Sequence, residues 1–246
     1  PANIIRGHIV TNFKRFAIYY APAPGPLADF GAQWLGWDLA TGHTVPHPQI
    51  DALDIAALTA TPRKYGLHGT IKPPFHLAEG QTLDGLSQAM SALCARLSGV
   101  KLDGLALTRL GGFLALTVQG DTAPLNDIAN AVVRDLDTFR APATAEELTR
   151  RRQAKLSPRQ DALLMQWGYP YVIEEFRFHI TLTGRMPRKQ AESTRTQIAP
   201  MLAPLLPQPF AVTALCLVGE DTTGMFHLIQ RYSLSGDNAA SKAATA

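Results

Sequence analysis

Apolar and polar positions along this 246-residue chain alternate between two periods. A period of two marks strands and a period near 3.6 marks helices, because those spacings bring side chains to one face. Residues 14–20 form the first strand pattern, aromatic and β-branched, closed by a Pro/Gly-rich run that starts at Ala21. Residues 27–37 place Leu27, Phe30, Trp34 and Leu35 at helical spacing. A Gly/Pro/His-rich loop follows through Pro48, then a short helix over 51–58 and a strand over 65–73 that Pro73-Pro74 should stop. A helix over 83–97 leads to a hairpin, 102–110 with 113–119, turning at Gly111-Gly112, and to a helix over 125–139. Further on come a strand over 174–183, a helix over 187–202 entered by Pro187, and a second hairpin, 210–218 with 225–234.

The two halves line up. Each has a strand carrying His-x-Thr, then a helix, then a hairpin. From His68 to the turn at Gly111 is 43 residues, and from His179 to the turn at Gly219 is 40. The pattern predicts an α+β fold of two pseudo-symmetric lobes, each an antiparallel sheet with helices on its outer face. One bilobal domain would span residues 14–235, with a leader over 1–13 and a tail over 236–246 that frays. Residues 140–172 interrupt the repeat with Arg150-Arg151-Arg152, a short helix over 159–167 and Gly168-Tyr-Pro-Tyr171. Their aromatic content predicts an insertion packed on the domain, with the arginine run as a solvated face.

Composition narrows the function classes. Apolar residues make up 46% and charged residues 17%, enough for a sizeable core and against wholesale disorder. The net charge of +3 suits an anionic substrate without demanding one. Cys94 and Cys216 sit in apolar stretches and read as buried hydrophobes. No apolar run reaches membrane-spanning length and no secretory leader is visible, so a cytoplasmic monomer with no membrane partner is expected. Asp38, His43 and His47 share a loop but lack further ligands at regular spacing, so no metal is expected. No Walker lysine motif or nucleophile elbow is present.

The chemistry lies in the two matching strands. On the first, His68, Thr70 and Lys72 should share a face; on the second, Arg177, His179 and Thr181 should. Leu67, Ile71, Phe178, Ile180 and Leu182 would face the core. A neutral imidazole can take a proton from water while an imidazolium gives one to a leaving oxygen, and histidine reaches both forms near neutral pH. Thr70 and Thr181 can donate to non-bridging phosphate oxygens, and Lys72 and Arg177 can offset their charge. His68, His179, Thr70 and Thr181 are therefore the catalytic candidates, needing neither metal nor cofactor. Lys72, Arg177 and Tyr171 are candidate substrate contacts. Packing is the other reading for Tyr171 and its neighbour Tyr169, and solvent exposure the other for Lys72 and Arg177.

Tyr65-Gly-Leu-His-Gly-Thr-Ile-Lys-Pro-Pro74 and Phe176-Arg-Phe-His-Ile-Thr-Leu-Thr183 resemble the paired motifs of the two-histidine (2H) phosphoesterase superfamily, which includes 2′,3′-cyclic phosphodiesterases and RNA 2′-5′ ligase-like proteins. The resemblance spans residues 14–234. It implies the bilobal fold with the active-site groove between the lobes, the His68/His179 acid/base pair and the phosphate-binding role of Thr70 and Thr181. Arg15-Phe-Ala-Ile-Tyr-Tyr-Ala-Pro22, Trp34-Leu-Gly-Trp-Asp38 and Trp167-Gly-Tyr-Pro-Tyr171 are similar to a branch associated with bacterial phosphonate-utilisation operons. That branch implies a small phosphorylated sugar, such as a ribose cyclic phosphate, as substrate. An RNA-end phosphodiesterase or ligase is the second expectation, and a non-catalytic binder of RNA or a phosphorylated metabolite the third.

Overall fold

A computed structural model describes residues 12–236. Most of the expected leader and tail therefore lies outside the described residues. In chain order the elements are β1 (Arg15–Tyr20), α1 (Pro26–Leu35), β2 (Trp37–Asp38), β3 (His43–Thr44), α2 (Ile55–Thr59), β4 (Gly69–Phe75), α3 (Leu83–Arg96), β5 (Val100–Leu102), β6 (Gly104–Leu110), β7 (Phe113–Gln119), α4 (Ala123–Asp135), α5 (Ala145–Arg152), α6 (Pro158–Trp167), β8 (His179–Thr181), α7 (Arg188–Leu202), β9 (Phe210–Val212), β10 (Ala214–Glu220) and β11 (Phe226–Ser233).

The α+β class and the antiparallel pairing are those expected. The two sets of strands are joined, however, into one seven-stranded sheet of order β11-β10-β1-β4-β8-β7-β6. They meet where Gly69 of β4 pairs with Ile180 of β8. The repeated units also exchange parts. The hairpin β6–β7 follows β4 in sequence yet pairs with β8, while β10–β11 follows β8 yet joins β1 and β4. A small ladder, β5 with β9, ties the entries of the two hairpins together.

The seam is narrow and requires glycine. A Cβ on Gly69 would lie 2.4 Å from the ring of Phe178, which crosses beneath it. Phe178 packs edge-on against Tyr20 at 5.8 Å and tilted against Phe210 at 5.9 Å, so aromatic side chains from both halves close the sheet from below. On β1 the alternation is clean. Phe16, Ile18 and Tyr20 enter the main core under the helices, and Ala17, Tyr19 and Ala21 face the opposite side with Cys216 and Phe226. Leu67, Ile71, Ile180 and Leu182 lie in the main core as their period predicts. Helix α1, stopped by Gly36 in the left-handed region, is pinned to the segment after β8 by the Trp34 indole N–H, which donates to the Leu182 carbonyl at 2.8 Å.

Two stretches differ from the periodic reading. β4 continues through Pro73-Pro74 to Phe75, because register shifts against β1 leave both prolines out of the paired positions. The residues before it form a 3-10 turn, Arg63–Tyr65, turned by Gly66 at φ 66°. The insertion holds two helices. α5 opens with a capping box from Thr144 to Glu147 and α6 with one from Ser157 to Gln160. Leu163 of α6 docks on Val133 and Val172.

Gly69→Ala should lower stability by roughly 1–3 kcal/mol in urea unfolding, the cost of forcing a methyl into packed atoms. Gly112→Ala, where a Cβ would meet neighbours only at 3.6–3.8 Å, should cost under about 0.5 kcal/mol. Equal effects would show that Phe178 does not constrain the seam.

Candidate active site

The register at the seam arranges the four candidate residues. With Gly69 opposite Ile180, one step either way sets His68 opposite Thr181 and Thr70 opposite His179. Gly69 and Ile180 face the core, so the two histidines and two threonines face the open side of the sheet. Each histidine thus lies opposite the threonine of the other motif across the seam.

These side chains line two adjoining cavities. His68, Thr70 and Thr181 line one of about 340 Å³. His179 lines a neighbour of about 300 Å³, and Thr70, Pro73 and Tyr169 line both. The surrounding walls combine aromatic and cationic groups, including Tyr19, Tyr65, Phe113, Arg151 and Arg185.

The hydrogen bonds fix the His68 tautomer. Its Nδ1 lies 2.9 Å from the Gly66 carbonyl, which only accepts, so Nδ1 carries the proton. In the neutral ring Nε2 is then a free base, and it accepts from the Thr70 hydroxyl at 3.1 Å. The Tyr19 ring lies against the imidazole with centroids 4.0 Å apart. Burial pulls the His68 pKa down from 6.5 to about 4, the Gly66 hydrogen bond acts against this, and a charge on His179 adds to the depression. His68 is therefore neutral at pH 7. His179 donates from Nδ1 to the Arg177 carbonyl at 2.8 Å, which turns Nε2 to the groove, and Phe113 lies 5.9 Å from its ring.

The other sequence candidates fare differently. Lys72 does not reach the groove, which corrects the face reading. A register shift separates Tyr19↔Thr70 from Ile18↔Lys72, so Lys72 shares the core face of Ile18. It is 2% exposed and its ammonium donates to the Val133 carbonyl at the end of α4 at 3.0 Å and to Asp137 at 3.4 Å. Burial draws its pKa down to about 8 despite Asp137. Arg177 borders the His179 cavity, but its guanidinium is turned back on the Glu174 and Phe176 carbonyls. Tyr171 borders the same cavity, 41% exposed, edge-on to Tyr169 at 5.7 Å.

Several lining residues escaped the sequence reading. Arg151 is not part of a merely solvated run; its guanidinium lies 4.6 Å over the Tyr169 ring at the groove wall. Arg15 is paired with Glu220, which holds its charge beside the cavity. Tyr19 was legible only as one of the alternating residues of β1. Its hydroxyl is buried without a hydrogen-bond partner, and burial raises its pKa, so it stays a neutral phenol. Among the described residues no three His, Cys, Asp or Glu side chains cluster as metal ligands, and no helix is long and apolar enough to cross a membrane.

Comparison with known proteins places these residues among relatives. The profile of a family described as "Protein of unknown function (DUF1045)" matches residues 70–227. A protein named ribose 1,5-bisphosphate phosphokinase PhnN from Janthinobacterium sp. (strain Marseille) is 37% identical over 92% of this chain and 52% of its own length. A protein of the same name from Laribacter hongkongensis (strain HLHK9) is 32% identical over 85% of this chain and 49% of its own. The chain thus spans about half the length of these curated relatives. The crystal structure of TT0787 of Thermus thermophilus aligns over 91% of this chain and 100% of that chain, with 15% identity and a TM-score of 0.45.

The His68 shift sets a stability signature. The unfolded chain takes up the proton first as pH falls, so folding is progressively disfavoured from pH 6.5 down to about 4 and unaffected above 6.5. Between pH 7 and pH 5 the wild-type protein should lose on the order of 2 kcal/mol more than His68→Gln in urea titrations. Parallel pH dependences would show that His68 is not buried as a neutral base.

Proposed function

We propose that this chain, which belongs to the family described as protein of unknown function DUF1045, is a metal-independent two-histidine phosphoesterase that opens a cyclic phosphodiester to a monophosphate. The observation that carries the reading is the pair of His-x-Thr strands crossed at one seam, with one imidazole held as a neutral base. His68 Nε2 takes a proton from water as the water oxygen bonds to phosphorus. The bond from phosphorus to one ribose oxygen breaks, and His179, entering as imidazolium, protonates that oxygen through Nε2. The net change is one water added, and proton exchange with solvent resets the pair. Thr70 gives up its bond to His68 when phosphate arrives and donates to a non-bridging oxygen, as does Thr181. Mutual repulsion of the two imidazoles favours the required state, one neutral and one charged.

The substrate is a small phosphorylated ribose or a nucleotide ester. The name of the Janthinobacterium and Laribacter relatives refers to ribose 1,5-bisphosphate, which supports ribose phosphates as the first compounds to screen and fits a role in phosphonate metabolism. Kinase chemistry is not proposed, because the chain has no Gly-x-x-x-x-Gly-Lys-Ser/Thr segment. An RNA-end cyclic phosphate is the second reading, favoured by Tyr171 exposed at the rim.

A screen of ribose cyclic phosphates, 2′,3′-cyclic nucleotides and RNA ends should find one that is opened. His68→Ala and His179→Ala should each lower kcat about 10²–10⁴-fold with little change in KM. The acidic limb of kcat/KM should fall near pH 4, the value set for His68, and EDTA should leave the rate unchanged. Loss of binding equal to loss of turnover, or rescue by metal after chelation, would overturn the acid/base assignment.

A further inference from the structure

A second cavity, of about 640 Å³, opens beside the catalytic groove between α2 and the start of α7. Thr61, Gly184 and Arg185 line both volumes, so the two adjoin. The loop between them is fixed. The Gly184 N–H donates to the Leu58 carbonyl and the Met186 N–H to the Gly112 carbonyl, each at 2.7 Å, which holds Arg185 at the junction.

The lining is built for an anion. Helix α7 begins with no side-chain cap and no acidic residue in its first turn, which instead carries Arg188 and Lys189. Cations at a helix N-terminus oppose the helix dipole and leave its N–H groups unsatisfied. The side chains of Arg185 and Lys189, both lining the cavity, make no hydrogen bond or ion pair among the described residues. The one acid in the lining, Asp54, is engaged in capping the Ala57 N–H at 3.0 Å. A turn further along α7, Thr194 lines the cavity at 1% exposure with its hydroxyl unpartnered. Thr196 of the same helix makes the usual bond back to a carbonyl, that of Glu192 at 3.0 Å, and Thr194 does not.

We propose that this cavity is a second anion subsite, which takes a terminal phosphate borne by the same molecule whose cyclic phosphate lies in the groove. The substrate would then be a sugar or nucleoside cyclic phosphate that carries a further phosphate ester, held by Arg185, Lys189 and the α7 N-terminus. Its use as a substrate subsite rests on the phosphoesterase reading above; anion binding in the cavity does not.

Two measurements test it. Wild-type kcat/KM for the 5′-phosphorylated form of 2′,3′-cyclic AMP should exceed that for 2′,3′-cyclic AMP by about tenfold, the worth of one charge-assisted hydrogen bond. Lys189→Ala and Thr194→Val should bring that ratio toward one. Separately, calorimetric titration with inorganic phosphate should show a binding event that Lys189→Ala removes and that His68→Ala/His179→Ala retains. If phosphate binds this way but no cyclic phosphate is opened, the subsite stands and the hydrolase reading falls. If cyclic phosphates are opened with no preference for the 5′-phosphate, and phosphate binding ignores Lys189 and Thr194, the subsite is overturned.

Discussion

The pairing of Gly69 with Ile180 is the contact on which the rest of the molecule depends. It joins two antiparallel sets into one sheet, and it does so at the positions next to both histidines. Because side chains alternate, the same register that buries Ile180 turns His68, Thr70, His179 and Thr181 to the open face. The absence of a Cβ at Gly69 lets the Phe178 ring lie beneath the seam. A larger residue there would push apart the two strands whose spacing sets the groove. The exchange of hairpins reinforces this geometry, since each motif strand is flanked by strands from elsewhere in the chain and neither half can form its sheet alone.

A pseudo-symmetric pair of histidines would be a poor acid and base if their surroundings matched. The flanking strands break the symmetry. Thr70 is opposite Tyr19 on β1, while the equivalent position opposite Thr181 on β7 is Ala115. The large ring covers His68 at 4.0 Å, and His179 has only the more distant Phe113. Burial therefore lowers the proton affinity of His68. That depression suits His68 to the base role proposed for it.

Much of this was legible in the sequence, for identifiable reasons. Strand and helix periods, the two hairpins and the repeated His-x-Thr placement are local properties, and residues such as Leu67, Ile71 and Ile180 fell on the face their period assigned. Which strand pairs with which is non-local, so the joined sheet and the exchanged hairpins were not. Lys72 was misplaced because a register shift between Thr70 and Lys72 inverts the alternation and leaves no mark in composition. Helix α5 was missed because its sequence, Ala-Glu-Glu-Leu-Thr-Arg-Arg-Arg, has almost no apolar face; the Thr144–Glu147 capping box was the available signal. Arg151 was missed with it, since a run of three arginines hides the one that stacks on a ring.

The division between repeated and unrepeated parts carries a functional consequence. His68, His179, Thr70 and Thr181, to which the proposed chemistry is assigned, all come from the duplicated strands at the seam. The groove wall also draws on residues from outside the repeat. Tyr169 and Arg151 belong to the insertion, and Thr61 lies in the short segment after α2. Changes in these segments can alter which molecule fits without disturbing the register that aligns His68 with Thr181. The insertion is suited to that separation: α6 is anchored through Leu163 on Val133 and Val172, away from the seam, while Tyr169 reaches the boundary between the two histidine cavities. In the proposed reaction the additions shape one wall of the groove, while the two histidines are held by the strand pairing that both halves share.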